Sequence, residues 1–86
     1  MAKLVLGAEH DGALIRATKW ALRKLGARRA LGWRGLGGSQ EVSSETWKSP
    51  AGPILLEAET YIGFTITGPD ELVARVDGLV REKLKR

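Results

Sequence analysis

The sequence predicts an α+β fold: a two-layer sandwich in the order β-α-β-β-(β)-α, with a mainly antiparallel sheet and two helices on one of its faces. Three observations predict it. Two stretches, 12–26 and 70–86, repeat apolar residues at helical spacing and carry charge on the opposite side. From Ile54 to Ile66 the even positions read Ile, Leu, Ala, Thr, Ile, Phe, Ile while the odd ones are mostly polar, a strand pattern with one covered face. Laying two one-sided helices on a one-sided sheet buries all the apolar faces in two layers, and 86 residues make one such domain, 1–86.

The elements follow in order. Lys3 to Ala8 is a short apolar run without alternation, as in a central or doubly covered strand. Asp11 caps a helix over 12–26, which Gly26 stops after the basic residues of its last turn. Leu14, Thr18, Ala21 and Leu25 line its core side, flanked by Ile15, Ala17 and Leu22. Arg16, Lys19, Arg23 and Lys24 fall opposite, and Trp20 falls among these cations. Residues 27–40 read as a Gly-rich surface connection.

Glu41 to Lys48 then pairs with the next strand through the turn Ser49-Pro50-Ala51-Gly52. A four-residue loop puts Trp47 in the core beside Ile54; a three-residue loop sets it opposite Pro53, pointing outward. The buried placement is the one adopted. Residues 54–67 form one long strand, or two nearly continuous strands bending near Gly63. Gly68-Pro69-Asp70-Glu71 opens a second helix with acids at its positive end, and Leu72, Val73, Val76, Leu79, Val80 and Leu84 form its apolar stripe.

The Gly-rich segment fits no phosphate-binding motif. Gly32, Gly37 and Ser39 match a P-loop, but Gly38 stands where its Lys belongs and no helix follows. The dinucleotide pattern fails at Gln40, where its third Gly belongs. Gly35 to Gln40, followed by a hairpin, also resembles the Gly-Gly-Gln loop of peptide-release and ribosome-rescue factors. It departs from that family at Ser39, which separates Gly38 from the glutamine.

Other chemistry finds little footing. Glu9, His10 and Asp11 are consecutive and lack a second His or Cys, so they read as a helix cap with a surface neighbour, not as a metal site or a general base. No catalytic residue, metal or cofactor is predicted, and a small enzyme using His10 or the glutamates ranks third among the readings.

Charge divides the chain. From Arg16 to Arg34 stand Arg16, Lys19, Arg23, Lys24, Arg28, Arg29 and Arg34 with no acid, whereas from Glu41 to Glu71 the acids Glu41, Glu45, Glu57, Glu59, Asp70 and Glu71 face Lys48 alone. Such two-ended charge fits pairing with a second copy or with an anion. The reading placed first is a non-enzymatic module that self-associates as a homodimer, with the exposed sheet face of Glu57, Glu59 and Tyr61 or the basic helix as its contact surface. The second is binding of RNA or single-stranded DNA by Arg16, Lys19, Trp20, Arg23, Arg28, Arg29, Trp33 and Arg34, where cations meet phosphates and aromatic rings stack on bases.

The lack of Cys fits a reducing compartment, and no apolar run is long enough to span a bilayer, so a cytoplasmic protein with no membrane partner is expected. The chain has no Asn, one Gln and 28% charged residues, a composition more frequent in thermostable proteins. A thermal melt is therefore expected to have its midpoint above about 60 °C, beyond the usual mesophile range.

Overall fold

The computed structural model describes the backbone of residues 1–37, 40–59 and 61–85, and their side chains except at 31–37 and 40–43. Seven elements follow in order: β1 (Ala2–Gly7), α1 (Gly12–Lys24), β2 (Arg28–Gly37), β3 (Gln40–Ser49), β4 (Gly52–Glu59), β5 (Gly63–Gly68) and α2 (Asp70–Leu84). The strands form one antiparallel sheet in the order β1-β5-β4-β3-β2, and the helices pack on one face of it. This is the two-layer α+β architecture that the one-sided helices and strands predict.

Local chemistry sets the limits of α1. The Asp11 carboxylate accepts the Leu14 amide at 3.1 Å, satisfying one of the free donors of the first turn. At the other end the Ala27 amide donates to the Leu22 carbonyl and the Gly26 amide to that of Arg23. This reverse turn needs a left-handed residue, and Gly26 supplies it at φ +85°.

Topology sets the path of this helix. Four antiparallel pairings separate β1 from β2, so these edge strands run in the same direction and α1 must cross the whole sheet. Strands about 4.8 Å apart place the edges roughly 19 Å apart, and the 13 residues of α1 rise about 20 Å. The helix is just long enough. Near its start Leu14 lies so close to β1 that a Cβ on Gly7 would come within 2.6 Å of it. Near its end the Arg23 guanidinium stands 5.5 Å from the Trp47 ring centre on β3. The second helix lies against β1 and β5.

The hairpins resolve the open alternatives and correct two expectations. Trp47 pairs with Ile54 and Ser49 with Gly52, so Trp47 is inward and only 1% exposed. Residues 54–67 are not one strand or a gently bent one: β4 and β5 are antiparallel, with Glu59 opposite Gly63. The paired positions 59 and 63 are both odd, so the alternation passes from one strand to the next unbroken. That is why the segment reads as one strand.

The second correction concerns 27–40, expected to be a connection. Residues 28–37 form edge strand β2, paired with β3 from Arg28 opposite Lys48 to Gly37 opposite Gln40, with a bulge at Ala30. Gly38 and Ser39, between the paired ends, lie outside the described residues.

Between the layers lie Leu14, Ala17, Ala21 and Leu22 of α1, Trp47, Ile54, Leu56, Phe64 and Ile66 of the sheet, and Leu72, Val73, Val76 and Val80 of α2. The molecule is only 19 Å deep in its shortest dimension, enough for one helix layer on one sheet. No described element covers the other sheet face.

Two glycines separate backbone strain from crowding. Gly26 has open space around a prospective Cβ, whereas at Gly63, φ +113°, a Cβ would meet the Gly7 carbonyl oxygen at 2.5 Å. Gly26→Ala is expected to cost about 1–2 kcal/mol, the left-handed penalty alone; Gly63→Ala should cost clearly more, because the β1–β5 pairing must also shift. Urea denaturation of the two variants checks this order, and equal losses would contradict it.

Candidate functional site

Two surfaces, on opposite sides of the molecule, collect the residues singled out in the sequence. On the helix side the organising pair is Glu45 and Trp47, two apart on β3 and therefore on one face. The Trp47 Nε1–H donates to Glu45 Oε1 at 2.7 Å. The other carboxylate oxygen takes Lys19 Nζ at 3.4 Å and Arg29 Nη1 at 3.8 Å. The Glu45 side chain is only 17% exposed, so a shielded anion ties α1 to β3 and β2.

Trp20 is half-buried and packs against the core. Lys24 Nζ stands 5.1 Å and Lys83 Nζ 4.3 Å from its ring centre. Its body fills the flank between the helices while its ring attracts ammonium groups from both of them. Arg16 is exposed one turn earlier on α1.

Arg16, Lys19, Trp20, Arg23 and Arg29 thus share the helix side. Arg28 does not join them: it pairs with Lys48, itself paired with Pro53, on the sheet face turned away from the helices. Trp33 and Arg34 occupy β2 positions opposite Ser44 and Ser43, and their side chains lie outside the described residues.

The bare sheet face has an order of its own. Its central rows carry Lys3, Thr67, Leu55 and Thr46, then Val5, Thr65, Glu57 and Ser44. Val5 is 54% exposed, a large apolar residue in an open position. Cations Lys3, Lys48 and Arg28 lie towards one end of the strands, and Glu57 and Glu59 towards the other. Tyr61 is in the β4–β5 turn at φ +72° and is 92% exposed, beside half-exposed Ile62. The carboxylates are therefore on the face itself and Tyr61 is at its rim.

Where the two surfaces meet, a shallow recess of about 440 Å³ is lined by Gly26, Arg28, Arg29, Ala30, Lys48, Ser49 and Pro50. Lys48 and Lys83 were not among the residues picked from the sequence. Lys48 was read only as an isolated charge in an acidic stretch, and nothing in the sequence brings Lys83 to Trp20, 63 positions away.

His10 is largely exposed, with Nε2 3.6 Å from Glu9 Oε1. Among the described residues no three His, Cys, Asp or Glu side chains gather as metal ligands. No described helix is long and apolar enough to cross a membrane. No protein-family model, curated protein or solved structure matches the chain.

Removing the Glu45 carboxylate leaves the buried indole N–H without an acceptor. Glu45→Ala is expected to cost about 1–3 kcal/mol. Glu45→Gln keeps an acceptor oxygen and should lose less. Chemical denaturation followed by tryptophan fluorescence measures both, and similar losses would locate the effect in the ion pairs.

Proposed function

We propose that this protein is a non-enzymatic module that self-associates through the bare face of its sheet. The observation carrying the reading is the charge order on that face: Lys3, Lys48 and Arg28 towards one end, Glu57 and Glu59 towards the other, with Val5, Leu55 and threonines between. A face of this kind is complementary to itself. A two-fold axis lying in the interface along the strands would set cations on cations. An axis perpendicular to the strands sets the basic end of one copy over the acidic end of the other, and that pairing is the one proposed.

Area bounds the strength. Five strands span roughly 19 Å and the eight residues of β4 about 26 Å, so the face covers roughly 500 Å² in projection. Standard stable interfaces bury about 800 Å² per partner. The contact is therefore small and partly polar, and a dissociation constant in the micromolar range, about 8 kcal/mol, is appropriate to it. Tyr61 and Ile62, at the rim, would extend the contact.

Sedimentation equilibrium tests this reading. At about 100 μM, well above a micromolar constant, dimers should predominate, and raising the salt should weaken them. Glu57→Lys with Glu59→Lys should sediment as monomer, because cations then oppose cations. Mixing it with a Lys3→Glu, Arg28→Glu, Lys48→Glu variant should restore dimers of mixed composition. A wild-type monomer at that concentration would sink the proposal.

A further inference from the structure

Face-to-face pairing of sheets leaves both helix layers outermost, so the cationic surface described above stays open in the dimer and in the monomer alike. Arg16, Trp20, Arg23 and Lys24 follow at three- and four-residue spacings on the outward flank of α1, and α2 adds Lys83. Among the described residues, none of Arg16, Arg23, Lys24 and Lys83 has a carboxylate within ion-pair distance. The nearby acid, Glu45, is engaged by Lys19 and Arg29.

Lys24 and Lys83 bring two ammonium groups to one indole, 5.1 and 4.3 Å from its ring centre, where the negative face of the ring favours their gathering. We infer that this surface binds the phosphodiester backbone of nucleic acid, with Arg23, Lys24 and Lys83 as the phosphate-contacting groups and Trp20 as a positioning residue that gathers the lysines.

The extended shape of the surface favours a polymer of phosphates over one small anion. The seven residue steps from Arg16 to Arg23 advance about 10 Å along α1, and the neighbouring helix adds another charge. A lipid surface suits it less. Membrane-lying helices carry large apolar side chains on their exposed flank, and the exposed large apolar residues among those described, Met1, Val5, Tyr61 and Ile62, all lie outside the helices.

The mode of recognition follows from Trp20. Its indole packs inward and is approached by two lysines, so it offers no open platform to a base. Recognition is by charge alone: indifferent to sequence, similar for single strands and duplex, and steeply dependent on salt.

Fluorescence anisotropy of short labelled DNA, single-stranded and duplex, tests this. Each phosphate contact contributes about −0.9 to the slope of log affinity against log salt on duplex. Three contacts thus predict roughly 40-fold weaker binding at about 200 mM than at about 50 mM salt. Arg23→Gln with Lys24→Gln and Lys83→Gln should flatten the slope, and Lys24→Gln with Lys83→Gln should lower it by about two thirds. Lys24→Arg with Lys83→Arg, which keeps the charges, should retain it. Glu57→Gln with Glu59→Gln alters only the sheet face and should leave the slope intact, so failure here and failure of self-association read out separately.

Four outcomes would overturn the proposal: no binding at about 50 mM salt, where phosphate contacts are strong; an unchanged slope in the triple variant with a wild-type circular dichroism spectrum; a strong, salt-insensitive preference for single strands, the mark of stacking; or capture by anionic phosphatidylserine vesicles without binding to DNA.

Discussion

The contact on which the rest of the structure depends is that between Trp47 and Glu45. A strand turns successive side chains to opposite faces, so Trp47 can enter the core only in a register that also brings Glu45 to the helix side. A carboxylate there needs partners, and it has three: the indole N–H, Lys19 and Arg29. One register choice therefore fixes where α1 sits, which β2 residue faces it, and which cations of the helix are neutralised. The energies agree with that ranking. Burying an indole is worth about 3–5 kcal/mol by the cost of truncation, whereas the exposed Asp77–Arg81 pair of α2 is worth a few tenths.

The crossover explains why two surfaces exist at all. With β1 and β2 on opposite edges, α1 spans the sheet and α2 occupies the remaining space over β1 and β5, so one layer of two helices covers one face. No described element remains for the other face. A central strand then has polar residues in a setting that no described element covers, yet Thr65 in β5 is only 1% exposed, and its hydroxyl donates to the Glu57 carbonyl at 3.5 Å. The bare face is thus closed at Thr65 and open at Lys3 and Val5 on edge strand β1.

Much of the fold was legible in the sequence because its signals are local. Asp11 and Gly26 mark the ends of α1 by capping chemistry, and the helical stripes place Leu14, Leu22, Val73 and Val76 in the core where the structure has them. β2 was missed for a physical reason. Alternation is read from side chains, and Gly32, Gly35 and Gly37 have none to show it. The usable signal was the turn: two residues, Gly38-Ser39, between Gly37 and Gln40 have the composition of a tight hairpin. The sites were less legible, because they are assembled across the chain. Lys83 reaches Trp20 from the other helix, and Arg28 departs from Arg29 to the opposite face because consecutive strand residues must.

The charge asymmetry changes meaning once folded. Along the sequence it runs from a basic first half to an acidic middle, as if two ends of a molecule. In the fold the boundary lies elsewhere. Glu45, from the acidic stretch, is drawn into the basic helix side and neutralised there, while Arg28, from the basic stretch, joins Lys3 and Lys48 on the face that carries Glu57 and Glu59. The acidic and basic halves are thus interleaved by strand pairing: the bare sheet face carries opposed charges at its two ends, and on the helix side the outward flank of α1 is cationic while α2 mixes Asp70, Glu71, Asp77 and Glu82 with Arg75, Arg81 and Lys83. A face with opposed ends is complementary to itself; a helix flank lined with cations is not, since two copies of it repel. The same strand pairing that buries Trp47 therefore sets both charge patterns: it draws Glu45 to Lys19 and Arg29, leaving Arg16, Arg23 and Lys24 on the flank of α1, and it aligns Arg28 with Lys48 on the bare sheet face.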